Sequence, residues 1–565
     1  MSIPTITLSE NEQRLARLLV ECADWVDANP DEVDKLRLKD DDGKWIGKEW
    51  GNEKIELRIA GGWVRDKLLG QQSDDIDVST SPDPITGLKF AMLFERYLES
   101  LGQRDLMGKL TKIEAKPEQS KHLETATARV CDLSVDWVQQ RGQEVYTEGS
   151  RIPTVAFGTP LEDAERRDLT INALFYNLRT VSIEDQTGKG LSDLGLIPNQ
   201  PRRIRTPLEP FKTFRDDPLR VVRAVRFAAR FGREFELDEE MVSAIERDEI
   251  RHALLDPKKI SRERVGTELD KMLLGRDPQY AFELMERLRL HPLVFLYDHS
   301  TSFLSSSPSS PAPPPPDTSL AVTAATLLSS LLSRPIYPHT LKRLYLSCGL
   351  LPLYDLSCND KKKVIWVGER VVRDGIKGPT VDGVWVKKAR DAAEVLGAAV
   401  SRLAGEESMQ AEEDRVEIDQ RALTPKSGLL LRNPSVHDGQ HVRWNISLFW
   451  SLIVDLVRVH GDAEASSKMV EAYNRFVERI LALELDTRAF DAPLLDGKAI
   501  NALLPSTKNS PAMVHVLQLV VRFQLAHPAA TAQDCETYLM QEARVEIEAL
   551  CSKNKKQGVK RKEPK

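Results

Sequence analysis

Two short motifs of this chain carry residue types suited to phosphate and metal chemistry. Gly61 and Gly62 follow an apolar run at residues 55–60, and Asp75 and Asp77 stand two residues apart downstream. Because side chains alternate along a strand, the two carboxylates would project from one side of it. Mg²⁺ suits such a pair, since it normally binds through one or two carboxylates plus substrate phosphates. The glycines let a phosphate approach backbone N–H groups and the start of a helix. Together the motifs predict a nucleotidyl-transfer site.

Each motif alone is equally typical of a tight turn or a solvated strand end. Joined in this order, Gly-Gly-x-Val-Arg-Asp and Asp-x-Asp resemble the first motif of the polymerase-β-like nucleotidyltransferases. In this form the motif is similar to that of the class II CCA-adding enzymes, which are tRNA nucleotidyltransferases. The resemblance implies that Asp75 and Asp77 are catalytic and bind Mg²⁺. It also implies that Gly61, Gly62 and Arg65 bind the incoming nucleotide.

A second motif of that family is matched at residues 166–174, which read Arg-Arg-Asp-Leu-Thr-Ile-Asn-Ala-Leu. The resemblance implies that Arg167 and Asp168 hold the sugar and phosphates of the nucleotide, and that Asn172 belongs to the same binding set. The chemistry fits, because a guanidinium is a fixed fork for phosphate oxygens and a carboxylate accepts from a ribose hydroxyl. Taken alone, such a cluster is more typical of a charged surface. Between the two motifs, alternating runs predict further strands, and Asp136 falls where the superfamily can supply a third carboxylate.

The segment from residue 216 predicts the beginning of a helix, with Asp217 and Arg220 three residues apart and therefore side by side. An ordinary surface ion pair is the plain alternative. The pair resembles the family's Glu-Asp-x-x-Arg motif, with Asp216 in place of the glutamate. Farther along the helix, basic residues form a stripe at Arg223, Arg226, Arg230 and Arg233.

A carboxylate beside a guanidinium can select bases without a template. Cytosine and adenine present an amine donor beside a ring-nitrogen acceptor, whereas uracil and guanine present a carbonyl acceptor beside an N–H donor. Asp has no proton to give and Arg has no lone pair, so Asp217 and Arg220 would accept CTP and ATP and reject UTP and GTP. Each unpaired buried polar group costs about 1–3 kcal/mol, so two mismatches predict discrimination of roughly 10²-fold.

Residues 261–273 resemble the family's helix-packing motif. Ser261 is a good N-cap, and an apolar stripe follows it. We interpret this helix as structural and expect Arg264 to pair with Glu268 at i, i+4.

The composition of the 565-residue chain is that of a multidomain globular protein. It is 41% hydrophobic and has no run of eighteen apolar residues, so no membrane span is expected. Six cysteines lack zinc spacing, which predicts free thiols in a reducing compartment. The formal charge of −7 neither supports nor excludes RNA binding.

The predicted fold is α+β, a mixed-sheet nucleotidyltransferase head followed by an all-helical neck, body and tail. The expected boundaries are an N-terminal helical extension at 1–50, the head at 51–180 and the neck at 181–295. A disordered Ser/Pro insertion is expected at 296–320, the tRNA-binding body and tail at 321–550, and a basic disordered tail at 551–565.

The resemblance implies template-independent addition of CCA to the 3′ end of tRNA from CTP and ATP, with Mg²⁺ as cofactor. A poly(A) polymerase of the same superfamily and a non-catalytic RNA-binding relative remain the alternatives. No membrane and no protein partner are inferred. We expect the protein in the cytoplasm and nucleus, with mitochondria as a further compartment. The basic run at residues 553–562 is typical of a nuclear import signal, an RNA-binding arm or a solvated tail.

Overall fold

The computed structural model describes residues 5–36, 53–82, 85–113, 125–145, 154–297, 303–304, 314–410, 420–508, 510, 512–545 and 547. The chain forms two compact units, Met1–Val294 and Phe295–Lys565, called here the first and second units. The basic run near the C-terminus and most of the Ser/Pro insertion lie outside the described residues. Among the helices of the described part, none is both long and apolar enough to cross a membrane.

The first unit begins with helices that pack on a mixed sheet. Its helices up to residue 193 are α1 (Glu10–Ala28), α2 (Asp31–Asp34), α3 (Gly62–Leu68), α4 (Gly87–Ser100), α5 (Pro160–Glu165) and α6 (Gly190–Asp193). Its strands are β1 (Glu56–Ala60), β2 (Asp75–Ser81), β3 (Thr111–Ile113), β4 (Thr125–Val130), β5 (Leu133–Gln139), β6 (Arg141–Val145), β7 (Thr154–Phe157), β8 (Leu174–Asn177) and β9 (Ser182–Asp185).

Seven of these strands form one sheet in the order β3-β4-β5-β2-β1-β8-β9. The pairing of β2 with β5 is parallel, and the other neighbours in the sheet are antiparallel. Ile59, Val78 and Trp137 are buried on these strands, as the alternation of apolar residues predicts. Strands β6 and β7 form a separate hairpin. The central position of β1 and β2 brings the two glycines and the two carboxylates of the first motif to one end of the sheet.

Helix α1 packs against this sheet domain. It begins at a capping box formed by Ser9 and Glu12, and its apolar side is buried. The Glu12 carboxylate accepts hydrogen bonds from Trp63 Nε1 at 3.0 Å and Lys67 Nζ at 2.8 Å, both on α3. The predicted N-terminal helix therefore contacts the helix that carries the first motif.

A helical segment completes the first unit and leads to the second. Its elements are β10 (Arg203–Ile204), α7 (Pro210–Asp216), α8 (Leu219–Phe231), β11 (Glu236–Leu237), α9 (Glu239–Ile245), α10 (Asp248–Leu255), α11 (Arg262–Leu273), α12 (Pro278–Arg287) and α13 (His291–Phe295). Helix α8 buries Val221, Val222 and Val225 and packs against α11 and α12.

The second unit is mainly helical. Its helices are α14 (Ser319–Leu331), α15 (Pro338–Leu350), α16 (Val367–Arg370), α17 (Thr380–Gln410), α18 (Gln420–Leu431), α19 (Trp444–Arg458), α20 (Ala463–Ala482), α21 (Leu485–Arg488), α22 (Gly497–Leu503), α23 (Ala512–Ala526) and α24 (Ala532–Gln541). A three-stranded sheet is formed by β12 (Phe303–Leu304), β13 (Ser357–Asp360) and β14 (Lys363–Trp366).

The predicted class, a mixed-sheet head followed by helical regions, is confirmed. The structure adds short strands to the helical part. Residues 303–304 pair with residues 357–358, although they fall within the segment expected to be a disordered insertion. Backbone pairing with a hairpin distant in sequence orders them, and the composition of the Ser/Pro tract gives no sign of it. Helix α14 likewise begins at Ser319, before the expected end of that insertion.

Candidate active site

The turn after β1 is shaped by glycine. Gly61 has φ of +75°, a region that side chains rarely adopt, and its N–H donates to the carbonyl of Leu174 at 2.9 Å. A Cβ at this position would lie 2.5 Å from Nη1 of Arg167. A glycine is therefore required for the Arg167 guanidinium to rest against the turn.

The two carboxylates of the first motif lie on β2 as predicted, on the same side of the strand. Asp75 is exposed, and Asp77 is half-buried and aligned with Asp136 across the parallel β2–β5 pair. Burial is the main cause that raises the pKa of Asp77 to about 6; the Arg167 charge opposes this rise, and the charges of Asp136 and Asp75 add to it. This concentration of negative charge fits a divalent cation.

Among the described residues, no three His, Cys, Asp or Glu side chains meet as a ready-made metal cluster. Asp75 and Asp77 match instead the usual magnesium arrangement, in which one or two carboxylates are completed by substrate phosphates.

Arg167 is held by three neighbours. Its Nη2 lies 2.8 Å from Asp163 Oδ2, its Nη1 donates to the carbonyl of Asn172 at 3.1 Å, and its guanidinium lies over the Phe175 ring. The side chain lines the same cavity as Asp77. Arg167 is thus fixed as a fork facing the carboxylate, the geometry expected of a phosphate ligand.

The carboxylate of Asp168 already accepts several hydrogen bonds from the protein, so it is not a free acceptor for a ribose hydroxyl. Its Oδ1 accepts from the Leu169 N–H and from Asn172 Nδ2, both at 2.9 Å, and its Oδ2 accepts from Arg223 Nε at 2.7 Å. Burial raises the pKa of Asp168, but Arg223 and Asn172 more than offset this, so the pKa lies below its ordinary value. Arg223 Nη2 also lies 2.7 Å from Oδ2, so protein groups engage most of the roughly four acceptor sites of this carboxylate.

Arg65 links the first motif to helix α8. Its guanidinium is buried, bonds to Asn172 Oδ1 and Asp66, and lies 5.2 Å from the centroids of Phe227 and Phe231. Asp66 in turn accepts from Arg230 Nη2 at 3.0 Å. Arg65 therefore lines the cavity while most of its donors serve the protein.

The pair predicted to read the base, Asp217 and Arg220, lies at the beginning of α8. Asp217 Oδ2 accepts from Arg264 Nη2 at 3.0 Å, and Arg220 Nη2 donates to the Arg166 carbonyl at 2.5 Å. The prediction that Arg264 pairs with Glu268 is wrong, because Arg264 instead donates to Asp217. Glu268 instead lies against Arg223 and Arg226, because α11 packs directly against α8 and cross-helix partners replace the intrahelical one.

These groups surround one cavity of about 530 Å³. Eight predicted residues line it, namely Gly62, Arg65, Asp77, Arg167, Asp168, Asn172, Asp217 and Arg220. Gly61 borders it through Arg167, whereas Asp75 and Asp136 are not among its lining residues. A strongly cationic space with carboxylates at one side can hold a nucleoside triphosphate through its phosphates and a metal.

Several lining residues were not predicted as site residues. They are Arg223, Arg226, Phe227, Arg230, Arg264 and Lys271. The basic stripe on α8 was the available signal for three of them. The sequence did not indicate that this stripe faces the nucleotide motifs, because that depends on how α8 packs against the sheet domain.

Comparison with known proteins agrees with this geometry. Residues 57–196 match the family model "Poly A polymerase head domain", and residues 234–297 match "Probable RNA and SrmB- binding site of polymerase A". The chain is 33% identical to the mitochondrial CCA tRNA nucleotidyltransferase of Saccharomyces cerevisiae, over 95% of this chain and 94% of that protein. It is 31% identical to the tRNA nucleotidyltransferase cca2 of Schizosaccharomyces pombe, over 94% of this chain and 98% of that protein.

A solved structure shares the fold. The Bacillus stearothermophilus CCA-adding enzyme in complex with CTP superposes with a TM-score of 0.53 at 17% identity, covering 96% of this chain and all of that one. Because relatives above 30% identity align over nearly their whole length, the chain belongs to the family of CCA tRNA nucleotidyltransferases.

Proposed function

We propose that the 530 Å³ cavity is the active centre for template-independent addition of CCA to the 3′ end of tRNA, with CTP and ATP as substrates and pyrophosphate as product. The observation that carries this proposal is that one cavity contains both Asp77 and the Asp217/Arg220 pair. Phosphate chemistry and base selection are thus available to one bound nucleotide. The family membership of the chain supports the same reaction.

In this proposal Asp75 and Asp77 hold Mg²⁺, and Asp136, which is aligned with Asp77 on the neighbouring strand, is a third carboxylate. The bound metal would supply Lewis-acid activation of the tRNA 3′-hydroxyl and the α-phosphate. Arg167 orients the phosphates, and Asn172 keeps Arg65 and Asp168 in place around them. Gly61 and Gly62 leave room for the nucleotide beside the turn.

Base selection is assigned to Asp217 and Arg220. Burial lowers the pKa of Arg220, whereas Asp217 and Asp168 raise it, and the net shift is downward. An arginine guanidinium nevertheless keeps its charge in proteins. It therefore donates and never accepts, and Asp217 accepts and never donates. Asp217 Oδ2 accepts from Arg264 and Oδ1 accepts from the Leu219 N–H at 3.2 Å. A carboxylate has about four acceptor sites, so the exocyclic amine of C or A can still donate to it.

The test is incubation of the purified chain with tRNA lacking its CCA end, first with single nucleotides and then with CTP and ATP together. CTP alone should add two residues, and both together should add three and stop. A poly(A) polymerase would instead extend with ATP alone and without a fixed limit, and a non-catalytic RNA-binding protein would add nothing. Either of those results overturns the proposal.

We propose mitochondria as one site of action, because the Saccharomyces cerevisiae relative is a mitochondrial enzyme. The cytoplasm and nucleus are proposed as further compartments. Cell fractionation followed by immunoblotting tests all three, and absence from purified mitochondria contradicts the first.

A further inference from the structure

The second unit contains a cavity of about 690 Å³ that the nucleotide chemistry does not use. It lies where the start of α15, helix α17 and the segment before α19 meet, and is called here the larger recess. Trp385 is buried in its wall, and Tyr337 stands on its rim with 80% of its surface exposed. Arg343 also lines it, with Nε held by Asp382 at 2.7 Å. An aromatic ring that remains exposed beside a recess is a surface on which another ring can stack.

A second cavity of about 330 Å³, called here the smaller recess, lies beside it. Its wall includes His437 and Phe490, whose rings stack with centroids 4.1 Å apart. Burial and the nearby Arg443 charge lower the pKa of His437, although Asp438 opposes them, so the imidazole is neutral at physiological pH. His437 Nδ1 is buried and has no hydrogen-bond partner in the described part of the chain. The smaller recess therefore has an aromatic wall.

Arg443 belongs to the walls of both recesses, together with Gly439 and Asn445. The Lys388 ammonium is paired with Asp438. The exposed guanidinium of Arg443, in contrast, forms no hydrogen bond or ion pair with any residue that the structure describes. Within the described residues, Arg443 is thus an unpaired cation that borders two recesses with aromatic walls.

We propose that these recesses bind two successive unpaired nucleotides of the RNA substrate, with the connecting phosphate on Arg443 and one base in each recess. This inference rests on the proposed tRNA substrate. Sites for single-stranded nucleic acid combine cations that follow the backbone with aromatic rings that stack on the bases. A regular duplex keeps its bases stacked inside and offers none to a recess.

The smaller recess also favours RNA over DNA. Asp486 lines it, and its carboxylate accepts no hydrogen bond from the residues that the structure describes. A carboxylate repels phosphate but accepts from a ribose 2′-hydroxyl. Asp486 and Arg443 together thus fit a ribose and a phosphate.

The test measures binding of full-length chain to fluorescent tRNA lacking CCA across a range of salt concentrations. Arg443→Ala should weaken binding about tenfold and reduce the slope of log K against log salt by about 1, since one phosphate contact is lost. Tyr337→Ala should weaken binding about fivefold with an unchanged slope, because stacking releases no counterions. Arg475→Ala, an exposed arginine on α20, is the matched control and should change affinity less than twofold. CTP incorporation at saturating tRNA should remain at the wild-type rate in Arg475→Ala.

A second measurement uses an unstructured RNA decamer, the same sequence as DNA, and a blunt RNA duplex. The wild type should bind the RNA decamer most tightly, and Arg443→Ala and Asp486→Ala should each reduce that preference. Unchanged tRNA affinity in both the Arg443 and Tyr337 variants overturns the inference, as does equal weakening on the blunt duplex. Those results leave the proposed function intact, because that function fails only if the wild type does not add C and A.

Discussion

Arg264 on α11 donates to Asp217 at the start of α8, with 3.0 Å between Nη2 and Oδ2. The carboxylate proposed to read the base is therefore oriented by a second helix. This charge-assisted contact and the hydrogen bond from the Leu219 N–H to Oδ1, at 3.2 Å, together orient the carboxylate.

We expect Arg264→Ala to reduce the preference for CTP over UTP about tenfold, because the Leu219 N–H is then the remaining contact that orients the Asp217 carboxylate. Arg264→Lys restores a cation and should lose less selectivity. The measurement is kcat/KM for each nucleotide on tRNA lacking CCA. Unchanged selectivity in the alanine variant would contradict the orienting role.

Variants of Asp217 and Arg220 distinguish base selection from the transfer reaction. Asp217→Ala or Arg220→Ala should lose most of the discrimination against UTP and GTP, about 10²-fold for two mismatched groups. Metal-dependent transfer should remain measurable, because Asp75 and Asp77 are intact. Single-nucleotide incorporation assays check this, and a variant that stays strictly specific for C and A would sink the base-reading assignment.

Replacing Asp75 or Asp77 should abolish nucleotide transfer rather than nucleotide selectivity. Asp75→Ala and Asp77→Ala should each reduce incorporation of every nucleotide at least a thousandfold, since both are proposed to hold the metal. Affinity for tRNA should stay within a few-fold of wild type. Addition of C above about a thousandth of the wild-type rate would rule out the metal-binding role.

The raised pKa of Asp77 makes a prediction for the metal-free protein. Its folded-state pKa of about 6 lies above the ordinary 3.8, so folding favours the protonated form. Stability from this group is highest below about pH 4 and is lost as the pH rises through 6. Asp77→Asn avoids that loss, and in EDTA at pH 8 it should melt about 2–4 °C above the wild type.

The same melting experiment contains its own control. The difference in melting temperature between Asp77→Asn and the wild type should narrow as the pH falls toward 4, because the Asp77 carboxyl of the wild type is then protonated. Added Mg²⁺ should stabilise the wild type more than Asp77→Asn, since a ligand stabilises the form that binds it. An asparagine variant that melts below the wild type in EDTA at pH 8 would contradict the electrostatic account.

Local spacing explains how much of this site was predictable. Asp75 and Asp77 share one side of a strand, and Asp217 and Arg220 share one turn, because both relationships follow from backbone periodicity. The partner of Arg264 did not follow, since intrahelical spacing pointed to Glu268 while tertiary packing brought Asp217 closer. Strand β12 escaped prediction for the same reason, since its partner is more than fifty residues away in sequence.

The contact of Glu12 with α3 was also invisible in the sequence. Glu12 is 4% exposed, and burial alone would raise its pKa, but hydrogen bonds from Lys67, Ser9 and Trp63 lower the pKa below its ordinary value. Because α3 carries Gly62 and Arg65, the buried carboxylate holds part of the cavity wall through its neighbours.

We expect Glu12→Gln to destabilise the first unit by about 3 kcal/mol, because it leaves the Lys67 ammonium buried without its counter-charge. Glu10→Gln, an exposed glutamate in the same helical turn, is the matched control and should cost less than about 0.5 kcal/mol. With a lowered folded-state pKa, the wild-type advantage is present above about pH 4.5 and is lost as the pH falls through the folded-state pKa. Denaturant unfolding at pH 7.5 and pH 4 measures it. Equal stability of Glu12→Gln and Glu10→Gln at pH 7.5 would show that the Glu12 contacts contribute nothing to holding α3.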